Sequence, residues 1–277
     1  MTPPLIREPA VAGMFYPADP EALRAEIGAR LARADARPEE GVILGLILPH
    51  AGYEYSGDAA SLGYKLLGGK SFECVVIVSP SHREYFDGIS VYEGSGYRTP
   101  LGDLPVDDRF RELLVSGDPL IEASRMGHRN EHAIEVHLPF IQEVLGEVNI
   151  LPIVMGEQRR EYCFHLAGRL AQVFAGTRVL LIASTDLSHY HRYEVAESLD
   201  GIIVADVAGF DEEKIMTDLE TRRTEACGGG PMVAVMAAAR RLGANRAGIL
   251  SHCNSGDVTG DRSSVVGYLS AVLLNTN

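Results

Sequence analysis

Five apolar runs decide what this chain can become. Val42–Leu48, Glu73–Val78, Asn149–Val154, Arg178–Ala183 and Val265–Leu274 are rich in Val, Ile and Leu and lack regular polar alternation. A strand with one wetted face alternates, whereas a continuous run fits a strand covered on both faces. Helical patterns separate the runs. Asp19 and Pro20 open one that continues through Leu23, Ile27 and Leu31, with the proline at the first helical position, where its missing N–H costs nothing. Further helices are predicted over 58–67, 107–114, 131–145, 161–174, 193–208 and 231–242. This alternation predicts an α/β fold with a central, mainly parallel or mixed β-sheet flanked by helices. Gly88–Val106, with its strand-like Ile89–Tyr92, predicts an added hairpin. No linker, repeat or composition break divides the 277 residues, so a single domain over 1–277 is expected.

Charge narrows the partners. With 25 basic and 38 acidic residues the net charge is −13, which argues against nucleic acid and against anionic membrane surfaces. No apolar stretch reaches the ~18 residues of a spanning helix. Met1–Ala10 carries prolines and charges in place of a leader's apolar region. Cys74, Cys163, Cys227 and Cys253 are scattered without a C-x-x-C pair, so a reducing cytoplasm is expected. The 29 glycines read as many tight turns.

Parallel sheets bind ligands beyond the carboxyl ends of their strands. Three apolar runs end close to a histidine: His50 after the first, His82 after the second and His189 after the fourth. Histidine is the commonest ligand of borderline metals and the usual acid/base near neutral pH. Asp186, three positions before His189, is placed either to fix that ring's tautomer or to cap the next helix. In the segment Glu131-His132-Ala-Ile-Glu135-Val-His137 the histidines are five apart. On a helix they diverge by about 140°, so they cannot chelate one ion together, and capping or surface roles stand beside a pocket role. Cys227 precedes Gly228-Gly229-Gly230-Pro231, a turn opening a helix, where the macrodipole favours a thiolate. Cys74 reads as core. The segment Ser251–Asp261, with His252, Asp257 and Asp261, lacks a calcium loop's regular oxygen ligands and reads as a structural loop.

These residues resemble the Memo family, called AmmeMemoRadiSam system protein B in prokaryotes. The likeness runs from Ala12-Gly-Met-Phe-Tyr16 through Pro49-His-Ala-Gly-Tyr53, Pro80-Ser-His82 and Tyr97-Arg-Thr-Pro-Leu101. It continues in Glu131–Pro139 and Ser184-Thr-Asp-x-x-His189 and closes with Cys227-Gly and Asp261-x-Ser-Ser-Val265. The resemblance implies a fold like that of the class III extradiol dioxygenases. It implies His50 and His82 as metal ligands, Cys227 where those enzymes place a glutamate, and His189 as catalytic acid/base with Asp186 beside it. His132 and Tyr53 become pocket residues.

A thiolate in place of a carboxylate is a softer donor that shifts preference toward Cu(I) or Zn while staying compatible with iron; Fe(II) or Cu(I) is expected, with Zn(II) as the further candidate. The implied activity is that of a metal-dependent oxidoreductase or dioxygenase-like enzyme acting on a small molecule or a protein, linked to a radical-SAM protein. Fold alone does not fix function. The alternative is a non-enzymatic peptide- or phosphopeptide-binding protein, with Tyr53, His82, His189 and Arg98 forming its pocket.

Overall fold

A computed structural model describes residues 5–36 and 40–277 of the chain. Residues 1–4, part of the segment read as no leader, and 37–39 lie outside the described residues. The strands, in chain order, are β1 (Ile6–Arg7), β2 (Val42–Leu48), β3 (Cys74–Pro80), β4 (Ile89–Tyr92), β5 (Gly96–Thr99), β6 (Gly102–Pro105), β7 (Ile121–Ser124), β8 (Asn149–Met155), β9 (Val179–Ser184), β10 (His189–His191), β11 (Arg246–Asn254) and β12 (Val265–Asn275). The helices are α1 (Pro20–Arg33), α2 (Tyr53–Lys65), α3 (Asp108–Val115), α4 (Leu138–Leu145), α5 (Arg160–Val173), α6 (Tyr193–Ala208), α7 (Glu212–Glu220), α8 (Gly229–Arg241) and α9 (Ser255–Thr259), with a 3-10 turn at Glu135–His137.

All five apolar runs become strands of one nine-stranded sheet, ordered β10-β12-β2-β9-β3-β8-β4-β7, with β11 also paired to β12. Its centre is parallel: β2 pairs β9, β9 pairs β3 and β3 pairs β8. Antiparallel strands flank that centre, β12 against β2 and β4 against β8, so the sheet is mixed. The expected hairpin is β5–β6, which joins β1 in a separate three-stranded sheet, while β4 belongs to the large one.

The continuous runs have the cause inferred for them. Along β3, Cys74, Val76 and Val78 pack on one face with Leu166 and Leu170 of α5 and Met232 and Met236 of α8. Val75 and Ile77 point to the other face, toward Leu23 and Ile27 of α1, Tyr64 of α2 and Phe140 of α4. Each fully buried aliphatic side chain contributes about 1.5–3 kcal/mol, so polar residues are excluded from both faces. Caps set the helix starts. The Asp19 carboxylate accepts the N–H of Ala22 at 2.9 Å, and Asp107 accepts that of Phe110 at 3.0 Å.

Three segments depart from expectation. The helix expected over 131–145 is α-helical only from Leu138, after the 3-10 turn at Glu135–His137, while the Glu131 side chain takes the backbone N–H groups of His132 and Ala133 at 2.9 and 3.0 Å. α2 begins at Tyr53 rather than at residue 58. The loop expected over Ser251–Asp261 is the end of β11 followed by α9, whose start Asn254 and Asp257 cap reciprocally. Among the described residues no helix is long and apolar enough to cross a membrane.

Candidate metal centre

Because β2, β9, β3 and β8 run the same way, their carboxyl ends share one edge of the sheet. His50 lies two residues beyond β2 and His82 two beyond β3. The 131–134 segment brings His132 against them. Ring centroids are 5.1 Å apart for His50–His82, 5.4 Å for His50–His132 and 4.8 Å for His82–His132. One nitrogen from each ring lies within 4.8 Å of the others, a group able to hold a metal ion. His50 is buried at 1% exposure, whereas the side chain of His82 keeps 27%, so the group opens to solvent on the His82 side.

Glu131 organises two of the three rings. Its carboxylate accepts the His82 backbone N–H at 2.6 Å and bonds the His82 ring Nδ1 at 2.9 Å, besides the N–H groups of His132 and Ala133. Burial works against its charge, but the bonds and charge of His82 and the nearby His132 hold the carboxyl below its ordinary range. An ionised carboxylate only accepts, so His82 Nδ1 carries the proton and Nε2 is free to bind a ligand. His132 Nδ1 is buried, 3.2 Å from Glu131 Oε1 but without a formed hydrogen bond among the described residues. Burial first, then the neighbouring histidines, depresses the basicity of His50, and burial lowers His132 to about 4. Imidazoles kept neutral by burial, as at His50 and His132, suit a borderline transition metal.

Cys227 adjoins this group without joining it. Its Sγ is 3.2 Å from His50 Nε2 and accepts the Asp186 N–H at 3.3 Å, but it lies outside the set of mutually close donors, in which His132 stands. Beside the expected trio of His50, His82 and Cys227, whose thiol touches His50, the structure brings His132 into the group. The Cys227 turn is clamped by Gln158, whose amide donates to Cys227 O and accepts from Gly230 N, both at 2.7 Å. Thr185 Oγ1 takes the Gly228 N–H at 3.0 Å. Only glycine fits at 228, since a Cβ would sit 2.2 Å from Ser184 O. The thiolate expected from the helix N-terminus is not favoured: burial, then the Asp186 carboxylate, pushes the thiol well up despite the N–H donors around it.

The remaining expected residues take other partners. Asp186 does not orient His189; its carboxylate accepts the His50 backbone N–H at 2.8 Å, and burial raises it to about 7. His189 Nδ1 bonds Leu187 O at 2.8 Å, which places the proton on Nδ1 and leaves Nε2 open. Tyr53 is buried, and its hydroxyl donates to Val136 O at 2.8 Å, so it serves the core rather than a pocket. Arg98 sits on β5 of the small sheet, paired with Glu8 and Asp103. Sequence reasoning assigned no role to Gln158 or Ser184. It left Glu131 without one as well, although a carboxylate next to a candidate histidine was a usable signal.

The fold and this edge define an α/β protein with a three-histidine group at the carboxyl ends of parallel strands. A profile of the Memo-like proteins matches residues 7–272, and the chain belongs to that family. It is 36% identical to a MEMO1 family protein of Methanosarcina mazei over 97% of this chain and 99% of the relative. A MEMO1 family protein of Methanocaldococcus jannaschii is likewise 36% identical, with 97% and 99% covered. Among solved structures, an uncharacterized protein of Escherichia coli K12 superposes with a TM-score of 0.55 at 15% identity, covering 84% of this chain and all of that one. That likeness bears on the fold alone.

Proposed function

We propose that this protein is a metal-dependent oxidoreductase holding iron or copper at His50, His82 and His132, with Cys227 close enough to His50 to join the ion. The observation that supports the reading most is Glu131 behind His82. A carboxylate bonded to the far nitrogen of a ligating imidazole fixes its tautomer and raises its donor strength. Imidazole suits iron, copper and zinc alike, and a soft sulfur nearby favours the thiophilic ions among them. When bound, such an ion supplies Lewis acidity and a site for electron transfer.

The chain's own side chains do the rest. Substrate enters on the His82 side, the open one. His189, near enough to His50 to lower its basicity further, holds its proton on Nδ1 and accepts one at Nε2. Asp186 fixes the His50 backbone. The rival phosphopeptide pocket has little support, with Tyr53 engaged in the core and Arg98 in surface ion pairs. Four free thiols suit a reducing compartment, and we place the protein in the cytoplasm on that ground.

The test is anaerobic loading with Fe(II), Cu(I) or Zn(II), followed by voltammetry. One ion per chain with a reversible one-electron wave for iron or copper is expected, and His132→Ala should lose it. Binding of Zn(II) alone, with no redox-active ion retained, would overturn the oxidoreductase reading.

A further inference from the structure

Behind His50 lies a chain of buried polar groups that the reading above leaves unused. His50 Nδ1 is 2.7 Å from Ser184 Oγ, His137 Nε2 is 2.9 Å from the same oxygen, and Tyr64 Oη is 2.9 Å from His137 Nδ1. Ser184 Oγ is also 2.6 Å from Ala133 O. Ser184, His137 and Tyr64 are each no more than 1% exposed, so water does not complete these bonds.

Donor counting fixes every direction. A hydroxyl has one hydrogen and two lone pairs. Ala133 O can only accept, so the Ser184 hydrogen points there. Both imidazoles must then donate to Ser184, which makes His50 an Nδ1–H ring and His137 an Nε2–H ring. Burial holds His137 far toward its neutral form, at about 3; its Nδ1 therefore accepts, and Tyr64 donates. At the other end His50 Nε2 is left bare, with Cys227 Sγ 3.2 Å away.

We propose that Ser184, held from behind by His137 and Tyr64, is the positioning residue of the metal centre: it fixes His50 in the tautomer that presents Nε2 and, through Ala133 O, anchors the segment carrying His132. One hydroxyl at the end of β9 thus sets two of the three ligands. The inference deepens the metal-site reading and rests on it for its meaning, but its structural content can be measured without a metal.

The experiment has two readouts. Long-range 1H–15N spectra of metal-free protein, with His50 assigned by its absence in His50→Ala, report the tautomer. Zn(II) affinity is measured by chelator competition. Wild type is expected to show His50 protonated on Nδ1. Ser184→Ala should mix the tautomers and weaken Zn(II) about 10–100-fold, the usual cost of losing a partner of a ligating histidine. His137→Gln, which keeps one donor and one acceptor, should stay near wild type, whereas His137→Leu should not; this pair decides if Ser184→Ala does not fold. A wild-type His50 protonated on Nε2, or Ser184→Ala with unchanged tautomer and affinity, overturns the proposal. Wild type that binds no ion yet shows the Nδ1 tautomer and its loss in Ser184→Ala would overturn the metal reading and leave the positioning of His50 standing.

Discussion

Replacing Glu131 with Gln tests how much of the site hangs on one buried carboxylate. The group is 2% exposed and accepts four hydrogen bonds, three at Oε1 and one at Oε2. Glutamine retains one acceptor oxygen. If that oxygen keeps the Oε1 partners, the amide NH2 faces the His82 backbone N–H, donor against donor. A buried N–H left unpaired costs about 1–3 kcal/mol, and a charge-assisted bond loses about 1 kcal/mol when its acceptor becomes neutral. Glu131→Gln is therefore expected to destabilise the metal-free protein by roughly 2–4 kcal/mol in urea unfolding. Metal affinity should fall about 10–100-fold, since a neutral amide oxygen holds the His82 ring more weakly than the carboxylate does. A variant within about 0.5 kcal/mol of wild type, the level of an ordinary surface change, and equal in affinity would refute the assignment of Glu131 as the organiser.

Other expectations concern the frame around the site. Glu135 is buried and takes the Arg7 guanidinium and the backbone N–H groups of Ala10 and Val11; Glu135→Gln strands Arg7 and should cost about 3–5 kcal/mol, with faster proteolysis near Phe15, which packs on His132. Gly228→Ala drives a Cβ against Ser184 O and Thr185 and should destabilise by about 1–3 kcal/mol or more, measured by thermal unfolding. The Asp200 carboxylate, 3.7 Å from His252 Nε2, raises His252 above its ordinary value against the pull of burial. Because the folded value lies above the unfolded one, that stabilisation is complete below about pH 6.5 and is lost as pH rises through the raised value. The urea midpoint should fall across that window in wild type and fall less in His252→Phe; equal slopes would contradict the pairing.

What the sequence makes legible follows from which forces act locally. In β3 successive residues enter two different cores, so the run is unbroken and reads directly as a doubly covered strand. The shared strand edge made His50 and His82 visible as a pair, because parallel strands end together. β11 was not legible: its Ser251, His252 and Cys253 interrupt any apolar run, and near them Glu197 of α6 bonds Asn254 while Asp200 approaches His252. The 131–137 segment misled for a related reason. Its apolar spacing suits a helix, but Glu131 is held by the backbone N–H and ring of His82, 49 residues away in sequence. That tertiary choice is what brings His132 to the metal group, and no spacing rule on a helix could have found it. At Cys227 the macrodipole is a local effect legible in the sequence, while the burial that pushes the thiol up depends on the whole surrounding fold.

The central claim is that His50, His82 and His132 bind one ion together. X-ray absorption at the metal edge of the Zn(II)-loaded protein tests it most directly, comparing wild type with Cys227→Ala and His132→Ala. The account predicts three imidazole nitrogens at about 2.0–2.1 Å, with any sulfur scatterer at about 2.3 Å lost in Cys227→Ala and the nitrogens kept. His132→Ala should lose one nitrogen. A first shell of two nitrogens and one sulfur that His132→Ala leaves unchanged would contradict it.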